Sequence, residues 1–428
     1  MPLSRFVVYE YDTIRKISTQ AISLSISTSS DVFVPDTTFE LLKKLVFSQN
    51  ADAILSFSIY KGVEIIKLKN FVGLLQTADG SQFEILPKLS RQSHPTQARQ
   101  GLLKMLRYSN LLAFRSISSA HLNQANLPLL EIFITVFIQE TEQIVRQGLQ
   151  KTYQTIENEH NFLKGKWLPS RQKPHRLETF FTASDEFKSD IVPNRLLKSC
   201  VMFLIPKSQH LPNQVRLRHL RFALEEVSTS SNIRLDFEKI SQLDRRFDRY
   251  QKALQWAKVL LNQQSWATQG QHFTDSLLFP AERLFEQYVA QGFKKYLSDF
   301  EVFYQEDSLF LVNDHAGKRR FGLRPDLVVR KANLTIVLDI KWKWIEPQSS
   351  TYGIEQSDLY QLYAYGHKYA AESLYLLYPA HDGFQVPLPP FYFEENLSLI
   401  VFPFNISAPL SDEIEKIKTH FQQKTDSV

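Results

Sequence analysis

The sequence predicts a multidomain α/β protein: a β-rich N-terminal region (1–98), a mainly helical middle region (99–268) and a C-terminal mixed-sheet domain (269–428). Three observations predict it. Short β-branched and aromatic runs crowd the first hundred residues, the apolar period then becomes helical, and strand-like and helix-like segments alternate towards the end. A length of 428 residues also exceeds what one hydrophobic core usually serves.

In the N-terminal region Phe6–Tyr9, Val32–Val34, Ile54–Ile59, Val63–Leu68 and Val72–Leu75 read as strands. Val72 to Leu86 reads as a hairpin, because its arms flank Asp79-Gly80, a dipeptide suited to the positive φ angles of a tight turn. Pro87 ends the second arm, since it has no N–H for the ladder. Leu89 to Gln100, carrying Ser, Gln, His and Pro, reads as a linker.

Leu102, Leu103, Leu106 and Leu111-Leu112 mark a first amphipathic helix, and Leu129, Phe133, Phe137, Ile144 and Leu149 a long second one. Further helices are expected over 192–205, 214–227 and 244–261. Between the second and third helices, Gly165 to Glu178 reads as a basic loop with Lys166, Arg171, Lys173, His175 and Arg176. In the last region a helix is expected over 281–297, strands over 300–304, 309–312, 326–330 and 335–341, and a helix over 356–371. A strand over 373–378, an apolar run over 397–402 and a surface helix over 411–422 follow.

Composition narrows the function classes. The net charge is only +5, which permits nucleic-acid binding through local patches without demanding it. The lone Cys200 excludes an internal disulfide and a cysteine-rich zinc module, and reads as a small core filler. No apolar run reaches the ~20 residues of a membrane span, and the first residues lack a signal-peptide core, so a cytoplasmic protein is expected.

The chemistry concentrates in LRPDLVVRKANLTIVLDIKWK, two strands joined by a turn at Lys331-Ala332-Asn333. Ile336-Val337-Leu338 is apolar without alternation, as in a strand buried on both faces. Such a strand ending in Asp339-Ile340-Lys341 carries charges that are costly to bury unless they have partners or work. A period of two puts Asp339 and Lys341 on one side, with Ile340 towards the core, and the short turn brings Asp326 alongside. Two carboxylates and an ammonium suit phosphodiester hydrolysis. Hard oxygen ligands hold one or two Mg²⁺ ions, with Mn²⁺ as a substitute, and the lysine orients water and offsets phosphorane charge.

Pro325-Asp326 and Asp339-Ile340-Lys341 resemble the two motif halves of the PD-(D/E)xK nuclease superfamily. That resemblance implies Asp326, Asp339 and the Ile340 carbonyl as metal ligands, Lys341 as the catalytic lysine, and Glu286 as the leading-helix acid at the metal. Glu282, one turn earlier, is the fallback. In DLYQLYAYGHKY, Gln361 and Tyr365 lie four apart on one helical face and match the QxxxY element of RecB-like nucleases, which positions the substrate strand. Lys343, Trp342 and Trp344 are candidates for the mouth of the site, although core packing is favoured for at least one tryptophan.

The order LFEQYV … RPDLVV … LDIKWK … SDLYQLYAYG resembles the McrC family, the nuclease subunits of McrBC-type modified-cytosine-dependent restriction systems. Upstream, Val72-Gly73-Leu74 with Phe83 to Leu89, Leu102 to Leu106, Phe162 to Lys166, and Asp185 to Lys198 resemble that family too, so the likeness runs from about 60 to 380. One segment departs: Gly165-Lys-Trp-Leu stands where the family has Gly-basic-Ile-Asp, so the role of that Asp does not carry over. The resemblance implies an Mg²⁺-dependent endonuclease subunit acting on double-stranded DNA and docked on an McrB-like AAA+ GTPase ring whose hydrolysis it stimulates. GTP belongs to the ring, because this chain has no G-x-x-x-x-G-K-[ST] loop. No small-molecule cofactor and no membrane partner are expected. A stand-alone repair or mobile-element nuclease, and a non-catalytic adaptor of an AAA+ ring, stay open as alternatives.

Overall fold

The computed structural model describes residues 4–19, 31–47, 53–89, 94–173, 178–240, 245–262, 276–332, 334–394 and 396–425. The chain divides into two compact units, one built from 1–129 and 264–428, the other from 130–263. Among the described residues no helix is long and apolar enough to cross a membrane.

The first unit begins with strands β1 (Arg5–Tyr9), β2 (Thr13–Lys16) and β3 (Asp31–Val34), helix α1 (Asp36–Val46), and strands β4 (Leu55–Tyr60), β5 (Val63–Leu68), β6 (Phe71–Gln76) and β7 (Gln82–Leu86). The expected hairpin is β6–β7, antiparallel around Asp79-Gly80. The sequence reading assigned no helix to 36–46, although Phe39, Leu42 and Val46 recur at helical spacing and are buried against the sheet β3-β2-β5-β4. Helix α2 (Pro95–Arg107) starts inside the stretch read as a linker, with Pro95 in its first turn where a missing N–H costs nothing. The short α3 (Ser119–Leu122) follows, and α4 (Leu129–Arg146) leads out of this unit.

In the second unit, strands β8 (Thr152–His160), β9 (Lys166–Trp167) and β10 (Phe180–Lys188) form an antiparallel sheet; β9 falls within the expected loop 165–178, and no element was expected over β8 or β10. The physical reason is exposure. Most residues of β8 and β10 are exposed or half-exposed, so their sequences show no apolar alternation. Within the supposed basic loop, Lys166 lies in β9 and Arg171 pairs with Glu157 at 2.5 Å, which supports ordinary surface pairing, while His175 and Arg176 lie outside the described residues. Helices α5 (Val192–Leu204), α6 (Leu211–Ala223), α7 (Ile233–Ile240) and α8 (Gln251–Asn262) complete the unit, and Cys200 is fully buried in α5 as a core filler.

The chain returns to the first unit with β11 (Leu277–Pro280), which joins the N-terminal sheet in the order β1-β7-β6-β11. Gly73 makes that pairing possible. It sits at φ +129°, and a Cβ there would lie 2.1 Å from the Leu277 carbonyl oxygen. Then come α9 (Ala281–Tyr296), β12 (Glu301–Tyr304), β13 (Phe310–His315), β14 (Lys318–Gly322), β15 (Leu327–Lys331), β16 (Leu334–Ile340), α10 (Gln356–Tyr369), β17 (Ser373–Pro379), β18 (Phe391–Glu394), β19 (Leu397–Phe404) and α11 (Leu410–Thr425). Six strands form a mixed sheet, β12-β15-β16-β17-β19-β18, in which β16, β17 and β19 run parallel and the rest pair antiparallel. β16 is central, and its Ile336, Val337, Leu338 and Ile340 are buried, as its unalternating apolar run required. Helix α10 lies against this sheet through Leu362, Tyr365 and Tyr369. Gly366 sets how closely it packs, since a Cβ there would come within 2.8 Å of Leu397. That contact fixes which side chains of α10 face the end of β16.

Candidate active site

The motif residues meet at the C-terminal end of β16. β15 and β16 pair with Leu327 opposite Leu338, so Asp326, just before β15, reaches the last residues of β16. There its Oδ2 accepts the Ile340 N–H at 2.7 Å, and its own carbonyl accepts the Gln305 N–H at 3.0 Å. Asp339 is only 3% exposed, and its Oδ2 lies 2.8 Å from the Lys341 ammonium. Ile340 points into the core between them.

The electrostatics are those of an acidic pocket with too few cations. Burial raises the Asp326 pKa well above the carboxylate range, and the charges of Asp339 and Glu286 add to it, against the Ile340 N–H and Lys341. Asp339 is likewise raised by burial, with Lys341 opposing and Asp358 and Glu286 reinforcing the shift. For Lys341 burial works against the charge, but Asp339, Asp358 and Asp326 outweigh it and raise its pKa. Lys341 is thus held as a cation.

Glu286, on α9, stands at this pocket. Its Oε1 accepts the Gln305 side-chain amide at 2.6 Å, and the Tyr304 hydroxyl contacts it too. Glu282 is exposed, its charge felt by Tyr11 rather than by the pocket. Gln361 and Tyr365 do share one face: the Gln361 amide donates to the Tyr365 hydroxyl at 2.6 Å, and that hydroxyl also meets the Arg324 backbone. Asp339 and Asp326 both raise the Tyr365 pKa after burial does, which puts the pair beside the carboxylates.

Two aromatic candidates are not at the mouth. The buried Trp342 donates its indole N–H to Glu10, at 2.8 and 3.0 Å from the two carboxylate oxygens, and packs on Phe285. Trp344 donates to the Lys88 carbonyl at 3.0 Å and stacks on His381 at 5.0 Å. Core packing, expected of at least one tryptophan, describes Trp342; Trp344 is half-buried. Lys343 is exposed and pairs with Glu355 at 2.7 Å.

Three residues escaped the sequence reading. Asp358, in the first turn of α10, is buried, its Oδ1 lies 3.7 Å from Lys341, and its Oδ2 has no hydrogen-bond partner among the described residues. Gln305, at φ +51°, bridges Glu286 and Arg324, accepting from the Arg324 guanidinium at 2.5 Å. Arg324 itself sits directly before Pro325-Asp326, and its closeness to that motif was the available signal.

Asp326, Asp339 and Glu286 outnumber Lys341, and a buried carboxylate oxygen lacks a donor. This donor set fits a hard divalent cation, which would offset the excess negative charge. Among the described residues no group of three or more His, Cys, Asp or Glu stands as a ready-made metal cage. A small hard cation does not need one, since one or two carboxylates and retained waters suffice.

Fold and site together define a multidomain α/β protein with an acidic pocket and a captive lysine at the end of a mixed sheet. The chain belongs to the family described as McrBC 5-methylcytosine restriction system component, whose model matches residues 66–379. Among solved structures, it is similar to a chain of a half-complex from a tetradecameric assembly of Thermococcus gammatolerans McrB AAA+ hexamers with bound McrC, at 20% identity and a TM-score of 0.68. That match covers 97% of this chain and 100% of the other. A second, the Thermococcus gammatolerans McrBC complex, aligns at 22% identity and a TM-score of 0.48 over 69% of this chain and 88% of the other. No curated protein matches.

Proposed function

We propose that this chain is the McrC-like nuclease subunit of a GTP-dependent restriction complex directed at modified cytosine, and that its PD-(D/E)xK-type domain (269–428) hydrolyses phosphodiester bonds in double-stranded DNA. The observation that carries this reading is the convergence of Asp326, Asp339 and Lys341 at the end of one buried strand, with the Glu286 charge acting on both aspartates. Family membership supports it. So does the likeness to a structure in which McrC is bound to McrB AAA+ hexamers. On this reading the partner is an McrB-like GTPase ring, which binds GTP and is stimulated by this chain's middle region.

Asp326, Asp339 and the Ile340 carbonyl would hold Mg²⁺, with Mn²⁺ as a substitute and Glu286 as the auxiliary acid. The ion, when bound, supplies Lewis-acid polarisation of the phosphate and an acidified water. Lys341, kept protonated by Asp339 and Asp358, does not serve as a proton acceptor at neutral pH. It orients the attacking water through its N–H groups and offsets charge growing on the phosphate oxygens. Glu286 is fixed by Gln305, and the Gln361–Tyr365 pair positions the substrate strand.

The test is to assemble Asp339→Ala and Lys341→Ala chains with the AAA+ ring. Loss of an electrostatic transition-state contact costs about 10²–10³ in rate, so DNA cleavage should fall at least that far while GTPase stimulation persists. Cleavage that survives both substitutions shows that the site is elsewhere.

A further inference from the structure

A basic ribbon runs directly into the acidic pocket. β13 and β14 form a separate two-stranded antiparallel sheet, with Phe310 opposite Gly322, Val312 opposite Arg320 and His315 opposite Lys318. The sequence entering the site reads Lys318-Arg319-Arg320-Phe321-Gly322-Leu323-Arg324-Pro325-Asp326, four cations within seven residues. Lys318, Arg319 and Arg320 are exposed, and among the described residues none of the three makes an ion pair. Arg319 rests 6.0 Å from the centroid of the Phe310 ring, which leaves its charge uncompensated. Asp314, the ribbon's acid, is engaged by its own turn, accepting the Gly317 N–H at 2.9 Å.

The ribbon is anchored at its stem and free along its length. Leu323 donates its N–H to the Leu309 carbonyl at 2.8 Å, and both leucines pack into the core of the mixed sheet. Lys318, Arg319, Arg320 and Phe321 are exposed in succession along β14. Phe321 is 73% exposed and held at φ +57°, a left-handed conformation costly for a bulky residue and found mostly where function requires it. At the stem, Arg324 donates to Gln305, which donates to Glu286, so ribbon and pocket are joined by two hydrogen bonds.

We propose that β13–β14 is an arm that grips double-stranded DNA: Lys318, Arg319 and Arg320 take backbone phosphates and lead the strand past Arg324 into the pocket. The choice of duplex DNA rests on the nuclease reading of the pocket. Charge favours it, because uncompensated cations along a strand match a polyanion with one charge per ~1.7 Å of axis. Shape favours it too, because a two-stranded ribbon fits a major groove ~12 Å wide. The five residues of β14 span roughly 17 Å at ~3.4 Å each, enough to follow several phosphates.

The test is the salt dependence of binding. The full chain is titrated against a short labelled DNA duplex in EDTA, which prevents metal-dependent cleavage, at about 50 to 200 mM NaCl. Each phosphate contact contributes about 0.9 to the slope of log affinity against log salt. The variant Lys318→Gln/Arg319→Gln/Arg320→Gln should therefore show a slope shallower by roughly 2.7. Over that fourfold salt range the wild-type chain should lose roughly 40-fold more affinity than the variant. An equal slope, or no duplex binding by the wild-type chain, overturns the arm. So does a variant that keeps its slope but no longer assembles with an AAA+ ring, which would make the ribbon a protein-docking surface. A Lys341→Ala chain run in parallel separates the two readings: it should lose at most about 0.9 of slope, the share of one phosphate, while its assembled complex loses cleavage. A wild-type chain that binds with the full slope but never cleaves once assembled refutes the nuclease reading and leaves the arm standing.

Discussion

Asp326→Asn should make the protein more stable while removing its chemistry. The partly buried Asp326 carboxyl is pushed up by burial and by Asp339 and Glu286, from an ordinary value of 3.8. Below that value the group is protonated in both states and costs nothing. Above it the unfolded chain ionises first, so stability falls with rising pH until the folded pKa is passed. Each unit of difference costs about 1.4 kcal/mol. Asn keeps an acceptor for the Ile340 N–H, now at 2.7 Å, so the substitution removes charge and little else. The gain at pH 7 should fall in the range of about 0.5–2 kcal/mol common to single stabilising substitutions, read as a higher Tm. It should vanish below about pH 4. Magnesium offsets most of that gain: at ten times its dissociation constant a ligand adds about 1.4 kcal/mol to the state that binds it. Thermal unfolding from pH 4 to 8, with and without Mg²⁺, checks both. A variant with unchanged stability that keeps the full Mg²⁺ response refutes the reasoning.

Two further outcomes can be measured. Glu10 is buried, accepts from Trp342 and from the Lys88 N–H, and is pushed by burial up to about 7 from 4.5. Its raised pKa means stability is lost as pH climbs from 4.5 to about 7, on the order of 3 kcal/mol. Urea midpoints of Glu10→Gln should be flatter than wild type across that window, and an equal slope counts against it. Gln305→Ala frees Glu286 and Arg324 together, so the assembled complex should cleave about 10- to 100-fold more slowly, as misplacement of a reacting group predicts. Cleavage within twofold of wild type would show that Gln305 positions nothing that matters.

The hairpin of the site was legible because its signals are local. A short turn, an apolar run and charges at its end place Asp326, Asp339 and Lys341 together without knowledge of distant residues. Glu286 and the Gln361–Tyr365 pair were legible as helix faces. Asp358 was not, because an acid in the first turn of a helix reads as a partner of the helix dipole. Only the packing of Leu362 and Gly366 on the sheet turns it towards Lys341. The place of Trp342 was not legible, because its partner, Glu10, lies more than three hundred residues away. Likewise β11 completes a sheet begun two hundred residues earlier. The strands β8 and β10 were hidden by exposure, since the alternation that marks a strand is written only where one face is buried. The helix α1 carried a signal at Phe39, Leu42 and Val46 that its β-rich surroundings obscured.

The central claim, that this chain carries the cutting site of a GTP-driven partner, is tested most directly by cleavage of 5-methylcytosine-containing and unmodified duplexes. The assay uses the chain assembled with its AAA+ ring, with GTP and Mg²⁺ each supplied or withheld. Cuts are expected in the modified duplex only when chain, ring, GTP and Mg²⁺ are all present. Equal cleavage by the ring without this chain, or cleavage that continues after Mg²⁺ is chelated, would contradict it.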